Sequence, residues 1–157
     1  MTSAKSRADN VFSQDRNQIR RFYLESWRKA RERLPMEPLE QLVADVVAEH
    51  PEYHALLENE AAVGYDFRGE LGQTNPFLHM GMHIALREQI STNRPPGVRA
   101  IHKRVARALG SQAEAEHAMM DCLAEALWTA QQTGGAPDEQ RYLQALKELE
   151  RRVTSKR

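Results

Sequence analysis

Apolar residues recur along most of this chain at three- and four-residue spacing, the period of a helix with one face turned inward. The strict alternation of a half-buried strand is absent. The first stripe, Ile19, Phe22, Tyr23, Trp27 and Ala30, predicts a helix capped by Ser13 or Asp15, with Arg20, Arg21, Arg28 and Arg31 on its outer face. Pro35 and Pro38 close it and open a second helix that carries Leu39, Leu42, Val43, Val46 and Val47. Pro51 disfavours helical geometry at His50, makes His50 a candidate cap, and starts a fresh helix with Glu52, Tyr53, His54, Leu57 and Glu58.

From Asn59 to Thr74 the composition turns to Gly, Asp and Gln, which predicts a loop of unusual length. Asn75 followed by Pro76 pairs a cap with a first-turn proline and predicts a central helix to about Gln89 or Ile90. After the break at Arg94 to Gly97, a helix buries Val98, Ile101, Val105 and Leu109. It shows Arg99, His102, Lys103, Arg104 and Arg107 to solvent until Gly110 stops it. Ser111 with Glu114 has the form of a capping box and starts a helix to about Gln132, ended by Gly134 and Gly135. Asp138 caps the last helix, with Tyr142, Leu143, Leu146 and Leu149 inside. Together these elements predict an all-α fold, a single-domain bundle of five to six helices over residues 13–152, with flexible tails at 1–12 and 153–157.

Length supports one core without disulfides, and the single Cys122 suits a reducing compartment. Lys plus Arg equals Asp plus Glu at 22 each, so no global charge advertises a nucleic acid or a membrane. The polar start lacks a signal-peptide core and no stretch reaches about 20 apolar residues, which predicts a soluble, cytoplasmic protein.

Candidate chemistry lies on the helices. In the almost wholly apolar segment Asn75–Leu86, His79 and His83 stand one turn apart, about 5–6 Å between Cβ atoms, and buried imidazoles need a partner or a metal ion. Two further pairs share that spacing, His54 with Glu58 and His117 with Asp121. Such pairs, brought together in a bundle, build buried His/carboxylate metal sites, so the candidate ligands are His54, Glu58, His79, His83, His117 and Asp121. His50, Glu88 and Glu125 are candidates for orienting those ligands from behind. Mixed nitrogen and oxygen donors without thiolate point to iron, manganese or zinc, mono- or dinuclear. The competing account gives the histidines to packing, hydrogen-bonded to Asp121, Glu125 or carbonyls.

Met80, Met82, Met119 and Met120 read as adaptable core filling, Cys122 beside Asp121 as packing, and Trp27 and Trp128 as core anchors. The basic helix before Gly110–Ser111 has a superficial helix-turn-helix form. Its cationic face is short, however, and the next helix is acidic at Glu114, Glu116 and Asp121, so no nucleic-acid partner is expected.

Four stretches, HPEYHALLE at His50–Glu58, TNPFLHMGMHIALREQ at Thr74–Gln89, RPPG at Arg94–Gly97 and EHAMMDCLAEALWTAQ at Glu116–Gln131, resemble an uncharacterised bacterial family, domain of unknown function 1841. The likeness spans about Val11 to Leu146 and implies no established activity. The ligand order is also similar to haemerythrin-like di-iron bundles, with His54/Glu58, His79/His83 and His117/Asp121 in the places of H-x-x-x-E, H-x-x-x-H and H then D. The last pair is one residue closer than in that pattern and residues 1–33 hold no histidine, which implies a single metal or an altered dinuclear centre. Bundles of the DinB type, with one metal on three histidines, are a second, looser likeness.

The sequence therefore supports a metal-binding helical protein, with no nucleophile, phosphate loop or nucleotide fingerprint to decide whether it is an enzyme. The alternative is a non-enzymatic interaction module. In it the histidines are structural, and a basic face of Arg20, Arg28, Arg99, Lys103 and Arg107 meets an acidic protein partner or a second copy of the chain.

Overall fold

A computed structural model describes residues 4–65, 67 and 75–155, with side chains from residue 15 onward. Seven α-helices and no strand occur among the described residues: α1 Ala4–Arg31, α2 Pro38–Ala48, α3 His54–Leu57, α4 Pro76–Thr92, α5 Val98–Leu109, α6 Gln112–Thr133 and α7 Glu139–Thr154. The all-α expectation therefore stands, with seven helices against the five to six predicted; the helix expected after Pro51 is shorter than predicted, a 3-10 turn, Pro51–Tyr53, followed by the single α turn of α3. Helix α1 begins at Ala4, earlier than the cap expected at Ser13 or Asp15. Half of the expected long loop, residues 66 and 68–74, lies outside the described residues. Its first part is a 3-10 turn, Glu60–Gly64, capped by the Asn59 side chain, which accepts from the Ala61 amide at 3.0 Å.

The chain divides into two compact units, Met1–Met80 and Gly81–Arg157, and the division falls inside the continuous helix α4. In the first unit α1 packs on α2, on α3 and on the Glu60–Gly64 turn. Val43, Val46, Val47 and Leu57 are buried there. The α1 stripe is rotated from the expected one. Ile19 is 58% exposed, whereas Arg20, expected on the outer face, is only 4% exposed. Its guanidinium donates to the carbonyls of Val63 at 3.0 Å and Tyr65 at 2.6 Å, and lies over the rings of Phe67 and Phe77. Carbonyl acceptors and aromatic faces give the charge what water would have supplied.

A capping box that the sequence reading passed over starts α2. Glu37 accepts from the third residue of the helix while Glu40 accepts from the Glu37 amide at 2.8 Å, and Lys29 of α1 pairs with Glu40 at 2.6 Å. The first two helices are thereby pinned at the α2 start. Arg28, the other α1 cation assigned to a docking face, is engaged by Glu25 and Glu32 on its own helix.

In the second unit α5 packs on α6 and α7, and α6 on α7, around Leu86, Val98, Ile101, Val105, Met119, Leu123 and Leu146. Met119 and Met120 are buried and Met82 packs against them, so the methionines fill core as expected. Trp128 does not, because it stands 62% exposed on α6 while Ala126 and Ala130 of the same helix face inward. Cys122 donates to the Ala145 carbonyl, and burial pushes its thiol pKa up, in keeping with packing.

Local signals place the helix ends. Asn75 Oδ1 accepts from the amides of Phe77 and Leu78, Ser111 Oγ from Glu114, and Asp138 Oδ1 from Gln140 and Arg141, while Gly110 and Gly134 take the left-handed conformation that stops α5 and α6. Asp138→Ala is expected to lower stability by about 1 kcal/mol in urea unfolding of the full chain. An unchanged midpoint would show that this cap is dispensable.

Candidate metal centre

Helix α2 ends where Pro51 forbids its continuation, and His50 there adopts φ −125°, ψ 68°. Its side chain was expected to cap the next segment; instead it turns back on the helix it leaves. His50 Nδ1 donates to the Val46 carbonyl at 2.7 Å, adding to the 3.2 Å bond which that C-terminal acceptor takes from the Glu49 amide. A proton fixed on Nδ1 places the lone pair on Nε2. The ring is buried, stacks parallel to Tyr53 at 5.7 Å between centroids, and meets the edge of His79 at 5.3 Å.

His79 is half-buried in the first unit, on the first turns of α4, and Tyr53 also lies edge-on to it at 6.4 Å. One helical turn along the same helix, His83 is 3% exposed. Its Nδ1 donates to Glu116 Oε1 of α6 at 2.8 Å, again leaving the lone pair on Nε2. Arg87 of α4 donates to the same carboxylate at 2.9 Å. Burial alone would raise the Glu116 pKa, but the His83 and Arg87 hydrogen bonds outweigh it and bring the carboxyl down to about 2, so it stays ionised as an acceptor at neutral pH.

His50, His79 and His83 each offer one ligand atom, and these atoms lie within 4.8 Å of one another. Tetrahedral or octahedral nitrogen donors about 2.0–2.1 Å from a metal are roughly 3–3.4 Å apart, so small side-chain adjustments would close the group on one ion. The donor set is all imidazole.

The other candidate ligands occupy different surroundings. His54 packs its ring on Trp27 at 4.4 Å and donates from Nε2 to the Val47 carbonyl at 2.8 Å, a second closure of the α2 C-terminus. Glu58 is exposed and pairs with Arg31 at 3.1 Å. His117 directs Nδ1 to the Ala113 carbonyl on its own helix and sets its ring edge against His83, 4.9 Å between centroids. Asp121, Glu88 and Glu125 are exposed. The group of three among the described residues thus joins the predicted pair His79/His83 to His50, which the sequence suggested only as a supporting residue. The acceptor behind His83 is Glu116, which was not singled out. Its one visible signal is its place beside His117 on a helix that reads as amphipathic.

This arrangement defines a helical protein with a cluster of two buried histidines and one half-buried histidine that could hold a metal ion. The chain belongs to the family described as a domain of unknown function (DUF1841), whose model matches residues 15–148. Neither a curated protein nor a solved structure matches it. No helix among the described residues is long and apolar enough to cross a membrane.

Proposed function

We propose that this protein binds one divalent transition-metal ion through His50, His79 and His83, with zinc favoured and iron second. The convergence of three imidazole nitrogens within 4.8 Å of one another carries the reading. Neutral nitrogen donors without carboxylate suit zinc or iron better than manganese, which prefers oxygen. Support comes from behind the ligands, since His50 is oriented by the Val46 carbonyl and His83 by Glu116, the pattern in which metal-bound imidazoles are usually held. Three protein donors match the number found in catalytic zinc sites, against four in closed structural ones. A bound ion would supply Lewis-acid chemistry, while the role of this chain's residues is to fix the tautomers and exclude bulk water from the two buried rings.

Elemental analysis of untagged protein, followed by zinc titration of metal-stripped protein, tests the proposal. Near one equivalent of zinc or iron per chain is expected, and trace metal with no saturable zinc binding would overturn it. Glu116→Gln keeps the shape but weakens the acceptor behind His83. It is expected to reduce zinc affinity roughly 10- to 100-fold in a competition titration with a chromophoric chelator. Unchanged affinity would separate Glu116 from the site.

A further inference from the structure

We propose that the cleft between α5 and the start of α6 is a second binding site, for a small phosphate-bearing anion of the diphosphate class. The cleft is an open concavity of about 400 Å³ lined by Arg99, His102, Lys103, Arg107, Ser111 and Gln112, with alanine and glycine between them and no carboxylate. Arg99, Lys103 and Arg107 follow one another at four-residue steps, so they share one face of α5. Arg104, on another face, is taken up by Glu150 of α7.

Two cations of the cleft, Arg99 and Lys103, are held or exposed without a carboxylate partner among the described residues. Arg99 donates to the carbonyls of Ile90 and Ser91, which orient the guanidinium without neutralising it. Lys103 is exposed and has no ion-pair partner among the described residues. Burial lowers the His102 pKa against the pull of Glu116, which leaves a neutral imidazole able to donate one N–H. Gln112 opens a helix of 22 residues, and with Ser111 Oγ engaged by the Glu114 amide, the amides of Gln112 and Ala113 have no intrahelical acceptor at the mouth of the cleft. A compact, multiply charged oxyanion can meet the arginine, the lysine and these amides together.

Interface area and the charge of α6 weigh against a macromolecular anion. A protein partner would need about 800 Å² of this chain's surface, whereas the basic residues line a concavity formed by the end of one helix and the start of the next. A nucleic acid following α6 would run along the carboxylates of Glu114, Glu116 and Asp121. The cleft shares no residue with the group of His50, His79 and His83.

The test is calorimetric titration of the full chain with inorganic pyrophosphate, with citrate, a polyglutamate peptide and a DNA duplex as comparisons, and amide NMR to locate the site. Saturable binding of one pyrophosphate per chain is expected, with shifts centred on residues 102–103 and 111–113. Lys103→Glu, an exposed substitution that leaves metal content unchanged, should weaken it at least tenfold. Binding of pyrophosphate no tighter than citrate, indifference to Lys103→Glu, shifts confined to the histidines, or preference for polyglutamate or the duplex would each overturn the proposal.

Discussion

Alanine at His79 should reduce bound zinc from near one equivalent per chain to a trace, and alanine at His50 or His83 should do the same, whereas His54→Ala and His117→Ala should leave metal content intact. The contrast follows from where each ring sends its nitrogens. One ligand atom each from His50, His79 and His83 lies within 4.8 Å of the other two, whereas His54 and His117 are absent from that converging group and hold main-chain carbonyls. A consequence in stability accompanies the stoichiometry. A ligand that binds only the folded chain stabilises it by RT ln(1 + [L]/Kd), about 4 kcal/mol at a thousandfold excess over Kd. Zinc should therefore raise the melting temperature of the unaltered chain and of His54→Ala, and leave that of His79→Ala where it is. Scanning calorimetry with and without zinc reads both at once. Equal metal loss in all five variants would mean that the histidines hold the fold and not an ion.

Arg20→Ala should cost about 3 kcal/mol. Removing the guanidinium leaves the Val63 and Tyr65 carbonyls without their donor, at roughly 1 kcal/mol or more each, and ends its contacts with the faces of Phe67 and Phe77. Lysine should restore only part of the loss, because an ammonium can donate to the two carbonyls that Nη1 serves but lacks the planar guanidinium that lies over the two rings. Urea unfolding followed by far-UV circular dichroism gives the comparison. A loss below about 0.5 kcal/mol, as for an ordinary surface cation, would contradict this account.

What could be read directly from the sequence was what is local. Asn75, Ser111 and Asp138 cap their helices because a short side-chain acceptor two or three residues ahead of unpaired amides acts without tertiary help. Gly110 and Gly134 stop theirs because the left-handed turn suits a residue without Cβ. The pairing of His79 with His83 was visible for the same reason, since helical period alone puts them on one face. His50 was visible as a residue but not as a ligand. Its approach to His79 depends on how the chain turns after Pro51 and passes through residues that carry no period. His54 and His117 looked equivalent to the central pair because spacing says nothing about a nearer acceptor, and each has one in a backbone carbonyl. Arg20 and Trp128 were misplaced by type. A cation was assigned to water and an indole to the core, whereas carbonyls and rings accommodate the first and the inward alanines of α6 leave the second outside.

The proline that halts α2 also fixes the orientation of a candidate ligand, for His50 is the last residue before the break and its ring folds back on Val46. One residue added to that helix would swing the imidazole about 100° around the axis, off the edge of His79. The length of α2 is thus constrained in steps of whole turns, and the cluster depends on the count of residues from Pro38 to His50 as much as on the histidines themselves.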